Sequence, residues 1–218
     1  AYGIIGDYPR SRADFIFGGG GTYFTQRPDG RDIFQEMQAQ GYRVARTWEE
    51  AGALPPGKTL AVTAPGNLPP PSKRGDVFRQ AALKALDTLS RNPDGFFLMI
   101  EGSNIDKAAH SNNLEEMMEE LLDFDRTAGA VLDWASKHPG TLVVITADHN
   151  TGAFALTGGS REKGEITARF GSGSHDGVAV PVYAFGAGSG AFTGIYENTA
   201  IFSKIMDAFK KGAGKPVR

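Results

Sequence analysis

The chain has 218 residues, of which 40% are hydrophobic and 22% charged, and its formal net charge is -2 at pH 7. A chain of this length can bury a hydrophobic core, and a single domain over residues 1–218 is expected. The near-neutral charge, without a block of Lys or Arg, gives no indication of binding to nucleic acid or to an anionic membrane. The absence of cysteine excludes disulfides and thiolate zinc sites. No apolar run approaches the roughly 20 residues that cross a bilayer.

Strands and helices alternate along the first part of the chain, as they do in α/β folds. The apolar pattern predicts a short strand at 14–18, followed by a run of glycines. That run is interpreted as a turn, because no Lys-Ser or Lys-Thr follows it as a phosphate-binding loop requires. A helix is predicted at 31–40 and strands at 42–46 and 59–62. Prolines between residues 64 and 72 indicate a rigid loop inside the domain.

The second part of the chain continues the same alternation. Residues 157–174 are rich in Gly, Ser and charged side chains and are predicted to form a short surface segment, and a tail is expected from residue 212 onward. The predicted elements are helices at 76–91, 113–137 and 199–211 and apolar strands at 96–100 and 142–145.

The long helix at 113–137 is predicted to be amphipathic. Its apolar residues recur at spacings of four and three, which is typical of a face that packs against a core. Four glutamates are then expected on the solvated face, not on a metal. The apolar stripe consists of Met117, Leu121, Phe124, Ala128, Val131 and Ala135, and the glutamates are Glu115, Glu116, Glu119 and Glu120.

Carboxylate and imidazole side chains follow two of the predicted strands. The strand at 96–100 leads into Glu101-Gly-Ser-Asn-Ile-Asp106-Lys-Ala-Ala-His110, and the strand at 142–145 leads into Thr146-Ala-Asp148-His149. Carboxylate oxygen and imidazole nitrogen are the usual ligands of a catalytic zinc, which takes three protein ligands and keeps one position open. The four-residue spacing from Asp106 to His110 would place both on one side of a helical turn. The sequence therefore predicts a metal site where strands end.

Three of the four histidines stand close to an aspartate at a strand end or on a loop. His175, on the glycine-rich loop that begins at Gly171, could supply the third ligand. His138 is predicted to be an exposed helix terminus without a role. Each motif alone has an alternative, because Asp-X-X-X-His pairs arise by chance on helix surfaces and an Asp after a strand is often a helix cap. The convergence of three segments favours the metal site.

The motifs lie within longer runs, Gly95 to His110 and Thr141 to Gly152. These runs resemble the carboxyl-terminal half of an alkaline phosphatase, and the likeness covers nearly the whole chain. It implies an α/β fold with a mostly parallel central sheet flanked by helices, here incomplete. The likeness continues through Phe17-Gly-Gly-Gly-Gly-Thr-Tyr-Phe24, Ala64-Pro-Gly-Asn-Leu68, Ser174-His175-Asp-Gly and Val180-Pro-Val-Tyr-Ala-Phe-Gly186.

The resemblance also implies a set of ligands and cofactors, namely two zinc ions and one magnesium ion. Lys107 matches a position that in some family members contacts the phosphate through water. Asn150 stands where several relatives carry other residues, which leaves the contacts around the second zinc open. The implied ligands are Asp106, His110 and His175 for the first zinc, Asp148 and His149 for the second, and Glu101 for magnesium.

Several motifs of the family are not found in the chain. Family members carry an upstream metal-binding Asp, an Asp-Ser-Ala motif with the nucleophilic Ser, a Ser or Thr that binds magnesium, and an Arg that clamps the phosphate. The chain opens on Ala1-Tyr-Gly-Ile-Ile and contains no Asp-Ser-Ala. We therefore expect a fragment that covers the carboxyl-terminal portion of the catalytic domain and is inactive alone.

The function implied by the resemblance is hydrolysis of phosphomonoesters through a phosphoserine intermediate, whose Ser lies outside this chain. The expected partners are a phosphomonoester substrate and inorganic phosphate, and the intact enzyme could form a homodimer. The family resemblance favours the periplasm or the cell exterior. Two alternatives stay open: a non-catalytic zinc-binding fragment, or a related phosphodiesterase, sulfatase or phosphomutase with the same metal layout.

Overall fold

The structure, a computed structural model, describes residues 2–212. Most of the expected tail, from residue 213 onward, lies outside the described residues. The chain divides into two compact units, Ala1–Ile100 (unit 1) and Glu101–Arg218 (unit 2). The expectation of one domain over residues 1–218 stays a prediction.

Unit 1 is built on a three-stranded parallel sheet in which β3 (Thr59–Val62) lies between β1 (Phe15–Gly18) and β2 (Arg43–Ala45). The central strand is buried along its whole length, and Thr59 pairs with Phe15 on one side and Arg43 on the other. A parallel sheet with helices around it is the architecture that the alternating pattern predicts. The elements are α1 (Tyr2–Gly6), β1 (Phe15–Gly18), α2 (Thr22–Thr25), α3 (Ile33–Ala39), β2 (Arg43–Ala45), α4 (Trp48–Ala53), β3 (Thr59–Val62), α5 (Pro71–Arg74) and α6 (Val77–Leu89).

The core of unit 1 forms between α3 and the sheet. Asp32 caps α3 by accepting a hydrogen bond from the backbone N–H of Gln35. The helix then buries Ile33, Phe34 and Met37, each at most 1% exposed. Positions three and four apart lie on the same side of a helix, so this spacing places the apolar side chains together against β3.

An ion pair at the start of α3 joins Arg31 and Glu36. Arg31 Nη2 lies 2.6 Å from Glu36 Oε2, and this hydrogen bond holds the pKa of Glu36 below its ordinary 4.5. A carboxyl with a lowered pKa stabilises the folded chain above its unfolded pKa, and the contribution disappears as the pH falls through the folded pKa.

We therefore expect Glu36→Gln to lower Tm slightly at neutral pH, because the variant lacks the charge that attracts Arg31. The effect is small, since both side chains are more than a third exposed. The difference in Tm from the unchanged chain should shrink as the pH falls below 4.5 and through the lowered pKa of Glu36. Thermal unfolding followed by circular dichroism across this pH range tests it, and a difference independent of pH would contradict the assignment.

Unit 2 pairs its strands in three antiparallel ladders, β4 with β9, β5 with β8 and β6 with β7. The long helix α8 packs against α7, β4 and β9. The elements are α7 (Ser103–His110), α8 (Leu114–Ser136), β4 (Leu142–Thr146), β5 (Asn150–Thr151), β6 (Ala155–Ser160), β7 (Glu165–Arg169), β8 (His175–Asp176), β9 (Val182–Gly186) and α9 (Ala200–Gly212).

One sequence prediction of local structure needs correction. Residues 96–100 form no strand within the part of the chain that the structure describes, and Phe97 and Met99 are 63% and 72% exposed. An apolar run indicates burial, but a strand also requires a neighbouring backbone with which to form a ladder. Residues 157–174, predicted as a surface segment, are mostly exposed and include most of the β6–β7 hairpin.

The buried face of α8 also differs from the predicted stripe. Leu121 is 41% exposed, whereas Glu120, predicted to be solvated, is 4% exposed. The Asn104 side chain on α7 donates a 3.1 Å hydrogen bond to Glu120 Oε1, so this buried carboxylate has a polar partner. Burial of charged groups is tolerated when they are hydrogen-bonded, and hydrophobic periodicity alone cannot detect such a face. The buried residues of α8 are Met117, Glu120, Asp123, Thr127 and Ala135.

Candidate metal centre

Helix α7 and strand β8 bring Asp106, His110 and His175 together. Asp106 and His110 lie one helical turn apart on α7, and His175 is the first residue of β8. His110 Nε2 is 3.4 Å from Asp106 Oδ2 and 3.0 Å from His175 Nε2. His175 Nε2 is 3.6 Å from Asp106 Oδ1. One ligand atom from each of the three residues lies within 4.8 Å of the others.

The spacing of these side-chain atoms, which include both carboxylate oxygens of Asp106, is close to that around a tetrahedral zinc ion. Ligands that lie about 2.0 to 2.1 Å from zinc in tetrahedral geometry are separated from one another by about 3.4 Å. The three observed separations, 3.0, 3.4 and 3.6 Å, bracket that value. Two imidazoles and one carboxylate are also a donor set of the catalytic kind. All three side chains are more than a third exposed, so a fourth ligand could reach the site from solvent.

The backbone fixes the tautomer of His110. Its Nδ1 lies 2.8 Å from the carbonyl oxygen of Gly173. A carbonyl oxygen can only accept, so Nδ1 must carry the proton and the lone pair of the neutral ring stays on Nε2. Metal-binding histidines are commonly oriented in this way by their second nitrogen. The lone pair of His110 is thus directed towards Asp106 and His175.

Asp148 and His149 lie beside this group. Strand β4 ends at Thr146, so the two residues are not held on opposite faces of a ladder. His149 Nε2 is 3.1 Å from Asp148 Oδ2. The ring of His149 stacks on that of His175 with centroids 3.6 Å apart. The second predicted ligand pair therefore adjoins the first group.

Thr151 contacts both groups, although it belongs to none of the predicted ligand pairs. Its hydroxyl donates a 2.6 Å hydrogen bond to Asp106 Oδ1 and lies 3.2 Å from His149 Nδ1. Thr151 is 7% exposed and pairs with His175 in the β5–β8 ladder. Alternate residues of an extended chain share a side, so the two-residue spacing from His149 to Thr151 is the one signal available in the sequence. Threonine is too common at such positions for that signal to stand out.

The turn after β5 is held by backbone and carboxylate hydrogen bonds. Asp176 accepts from the Asn150 side chain at 2.9 Å and from the backbone N–H of Ala153 at 3.1 Å. Gly152 has a φ of 80°, and a Cβ there would lie 3.1 Å from the carbonyl oxygen of Ala109 on α7. Glycine is therefore needed both for the backbone conformation and for the close approach to α7.

The structure does not bring the other predicted site residues into the group. Glu101 is exposed and lies outside the Asp106–His110–His175 group, which is the one such cluster among the described residues. Lys107 is exposed on α7, with its amine 3.4 Å from Asn104 Oδ1.

His138 lies just after the end of α8, in the terminal position that the sequence predicts. Its Nδ1 is 2.7 Å from the carbonyl oxygen of Trp134, and the two rings stack with centroids 3.7 Å apart. The side chain thus closes the last turn of α8 and is no member of the ligand group described above.

Known proteins of one family match most of the chain. The sequence model of the alkaline phosphatase family matches residues 5–170, more than half of the chain. The chain belongs to the alkaline phosphatase family. The resemblance found in the motifs is thereby confirmed.

Curated relatives agree with this assignment. The chain is 34% identical to alkaline phosphatase 4 of Bacillus subtilis, with 71% of this chain and 33% of the relative covered. It is 30% identical to streptomycin-6-phosphate phosphatase of Streptomyces griseus, with 91% of this chain and 56% of the relative covered. The chain thus spans about half, or less, of the length of these relatives.

Solved alkaline phosphatase structures share the fold. The enzyme from the Antarctic bacterium TAB5 superposes with a TM-score of 0.86 at 34% identity, covering 96% of this chain and 64% of that chain. A cold-active enzyme from Shewanella sp. gives 0.85 at 25% identity, covering 95% and 68%. The predicted α/β class with a parallel sheet flanked by helices is confirmed. Within residues 2–212, no helix combines the length and the apolar character that a membrane span needs.

Proposed function

We propose that the intact protein hydrolyses phosphomonoesters as a metal-dependent alkaline phosphatase. The observation that supports this best is the convergence of Asp106, His110 and His175, with separations that suit zinc, in a chain of the alkaline phosphatase family. The name of the streptomycin-6-phosphate phosphatase is consistent with a phosphate ester as substrate.

The donor atoms suit two zinc ions and one magnesium ion. Carboxylate oxygen alone, as offered by Glu101, suits the harder magnesium ion. A variant of the TAB5 enzyme has been solved with magnesium bound, which is consistent with a magnesium site in this family. When bound, zinc would supply positive charge that offsets the negative charge of the phosphoryl group. The proposed ligands are Asp106, His110 and His175 for the first zinc, Asp148 and His149 for the second, and Glu101 for magnesium.

The chain's own side chains would orient these groups and the substrate. Gly173 and Thr151 hold the ring of His110 and the carboxylate of Asp106, so that the ligand atoms keep their directions. Lys107, exposed on the same helix as Asp106, would contact the phosphate through water. The nucleophilic Ser that accepts the phosphoryl group lies outside this chain in our proposal.

The proposed partners are a phosphomonoester and inorganic phosphate, with neither nucleic acid nor membrane involved. We place the intact enzyme in the periplasm or outside the cell, and a homodimer is the proposed assembly. These proposals rest on the family resemblance and on the weak net charge of -2.

The proposal predicts how the purified chain responds to zinc. It should bind about one zinc ion tightly, because the first site has three protein ligands here, and a second weakly, because that site has only two. Turnover of a simple aryl phosphate should be negligible without the Ser acceptor, and should appear when the missing half is supplied. Calorimetric titration of the metal-free chain, with hydrolysis followed in parallel, measures both.

Three results would count against parts of this proposal. Robust turnover by the chain alone would show that the Ser is not required. No zinc binding would remove the metal assignment. Tight zinc binding without turnover, even with the missing half supplied, would favour the alternative of a non-catalytic zinc-binding protein, which the complete three-residue group in this chain also permits.

A further inference from the structure

We propose that Thr151 is a positioning residue shared by the two zinc sites, which orients the carboxylate of Asp106 and fixes the tautomer of His149 through one hydroxyl group. The inference rests on the proposed function, since it concerns the ligands named there. It adds a residue that touches both ligand groups and binds neither ion itself.

The direction of each hydrogen bond follows from the chemistry of the partners. A threonine hydroxyl has one hydrogen to donate and lone pairs with which to accept. The ionised carboxylate of Asp106 can only accept, so the hydroxyl donates across the 2.6 Å contact to Oδ1. The remaining contact, 3.2 Å to His149 Nδ1, can then be made only if that nitrogen donates. In the neutral ring, the contact with Thr151 favours the tautomer of His149 with the proton on Nδ1 and the lone pair on Nε2.

The two hydrogen bonds of the Thr151 hydroxyl orient ligand atoms of Asp106 and His149. Fixing Oδ1 sets the rotation of the Asp106 carboxylate, whose two oxygens lie 3.4 and 3.6 Å from the Nε2 atoms of His110 and His175. With the proton on Nδ1, Nε2 of His149 is left to bind a metal ion together with Asp148 Oδ2, 3.1 Å away. The same hydroxyl therefore prepares one ligand for each ion.

The backbone at Thr151 is held without the hydroxyl. Thr151 pairs with His175 in the β5–β8 ladder, and Asn150 beside it donates to Asp176 at 2.9 Å. Replacing the hydroxyl by a methyl group should therefore remove two hydrogen bonds and leave the chain path unchanged. Thr151→Val does this at nearly constant volume, and Thr151→Ser keeps the hydroxyl.

The test compares these variants with a matched buried threonine. Thr127 on α8 is 1% exposed, and its hydroxyl donates a hydrogen bond to the carbonyl oxygen of Asp123 in the same helix. Thr127→Val therefore also removes a buried hydroxyl, but one that contacts no ligand residue. We would measure the zinc dissociation constant by competition with a chromophoric chelator. In parallel, nitrogen-15 spectra of the metal-free chain, recorded where the imidazoles are neutral, report which nitrogen of His149 carries the proton.

Thr151→Val should weaken zinc binding by about tenfold to a hundredfold, the usual effect of losing a partner of a metal ligand. His149 should lose its preference for the proton on Nδ1. Thr151→Ser should retain both properties, and Thr127→Val should leave both unchanged.

The outcomes separate this inference from the proposed function. Unchanged zinc affinity in Thr151→Val, with zinc bound normally by the unchanged chain, would overturn the inference and leave the metal site intact. A loss of affinity without any change at His149 would overturn the shared role. Failure of the unchanged chain to bind zinc would instead count against the proposed function, while the spectra of the metal-free chain would still test the His149 contact.

Discussion

His110→Ala should abolish tight zinc binding by the chain and lower the activity of the intact enzyme by more than about a hundredfold. Loss of a residue that only supports a ligand already costs tenfold to a hundredfold, and loss of a ligand should cost more. His110 Nε2 lies 3.0 Å from His175 Nε2 and 3.4 Å from Asp106 Oδ2, so its removal leaves two donors where three converged. Zinc affinity of the chain and aryl phosphate hydrolysis by the intact enzyme measure the two effects.

His138→Ala is the control for this prediction. Its ring stacks on Trp134 at the end of α8, and its Nδ1 bonds to a carbonyl of that helix. The substitution removes an imidazole of the same kind but takes no donor from the ligand group. Zinc affinity and activity should stay close to those of the unchanged protein. Equal losses in the His110 and His138 variants would refute the assignment of His110 as a ligand.

The sequence predicted the members of the ligand group better than the contacts that orient them. Asp106 and His110 share a helical turn, which follows from their spacing, and the structure places His175 against them. Their role as ligands stays a prediction. Thr151 and the carbonyl of Gly173 could not be selected in advance, because a hydroxyl and a backbone oxygen carry no distinctive sequence signal. Their importance depends on which segments meet, and that is a property of the tertiary fold.

The positions of helices along the sequence are predicted more reliably than the residues that each helix buries. Helix α8 was expected at 113–137 and spans Leu114–Ser136, yet its buried face includes Glu120 and excludes Leu121. Periodicity reports where apolar residues lie, whereas burial here also follows a hydrogen bond from Asn104. For residues 96–100 the apolar pattern predicts a strand, but the described part of the chain forms none there.

Phe34→Ala should cost about 3 to 5 kcal/mol of the free energy of unfolding, the usual range when a large aromatic side chain is removed from a core. Phe34 is 1% exposed on α3, its ring stacks on Phe24 with centroids 4.6 Å apart, and the guanidinium of Arg46 lies over it at 3.3 Å. Alanine would leave a cavity against β3 and remove both ring contacts. Urea unfolding of the chain, followed by circular dichroism, measures the loss.

Phe97→Ala provides the matched comparison within unit 1. Phe97 is 63% exposed, so its truncation opens no enclosed cavity and should change the free energy of unfolding by only about 0.5 kcal/mol. The two variants remove the same atoms, and the difference between them isolates the contribution of burial. If both lost the same free energy of unfolding, either Phe34 would not lie in the core or Phe97 would be covered in solution. The buried face of α3 would then have to be reassigned.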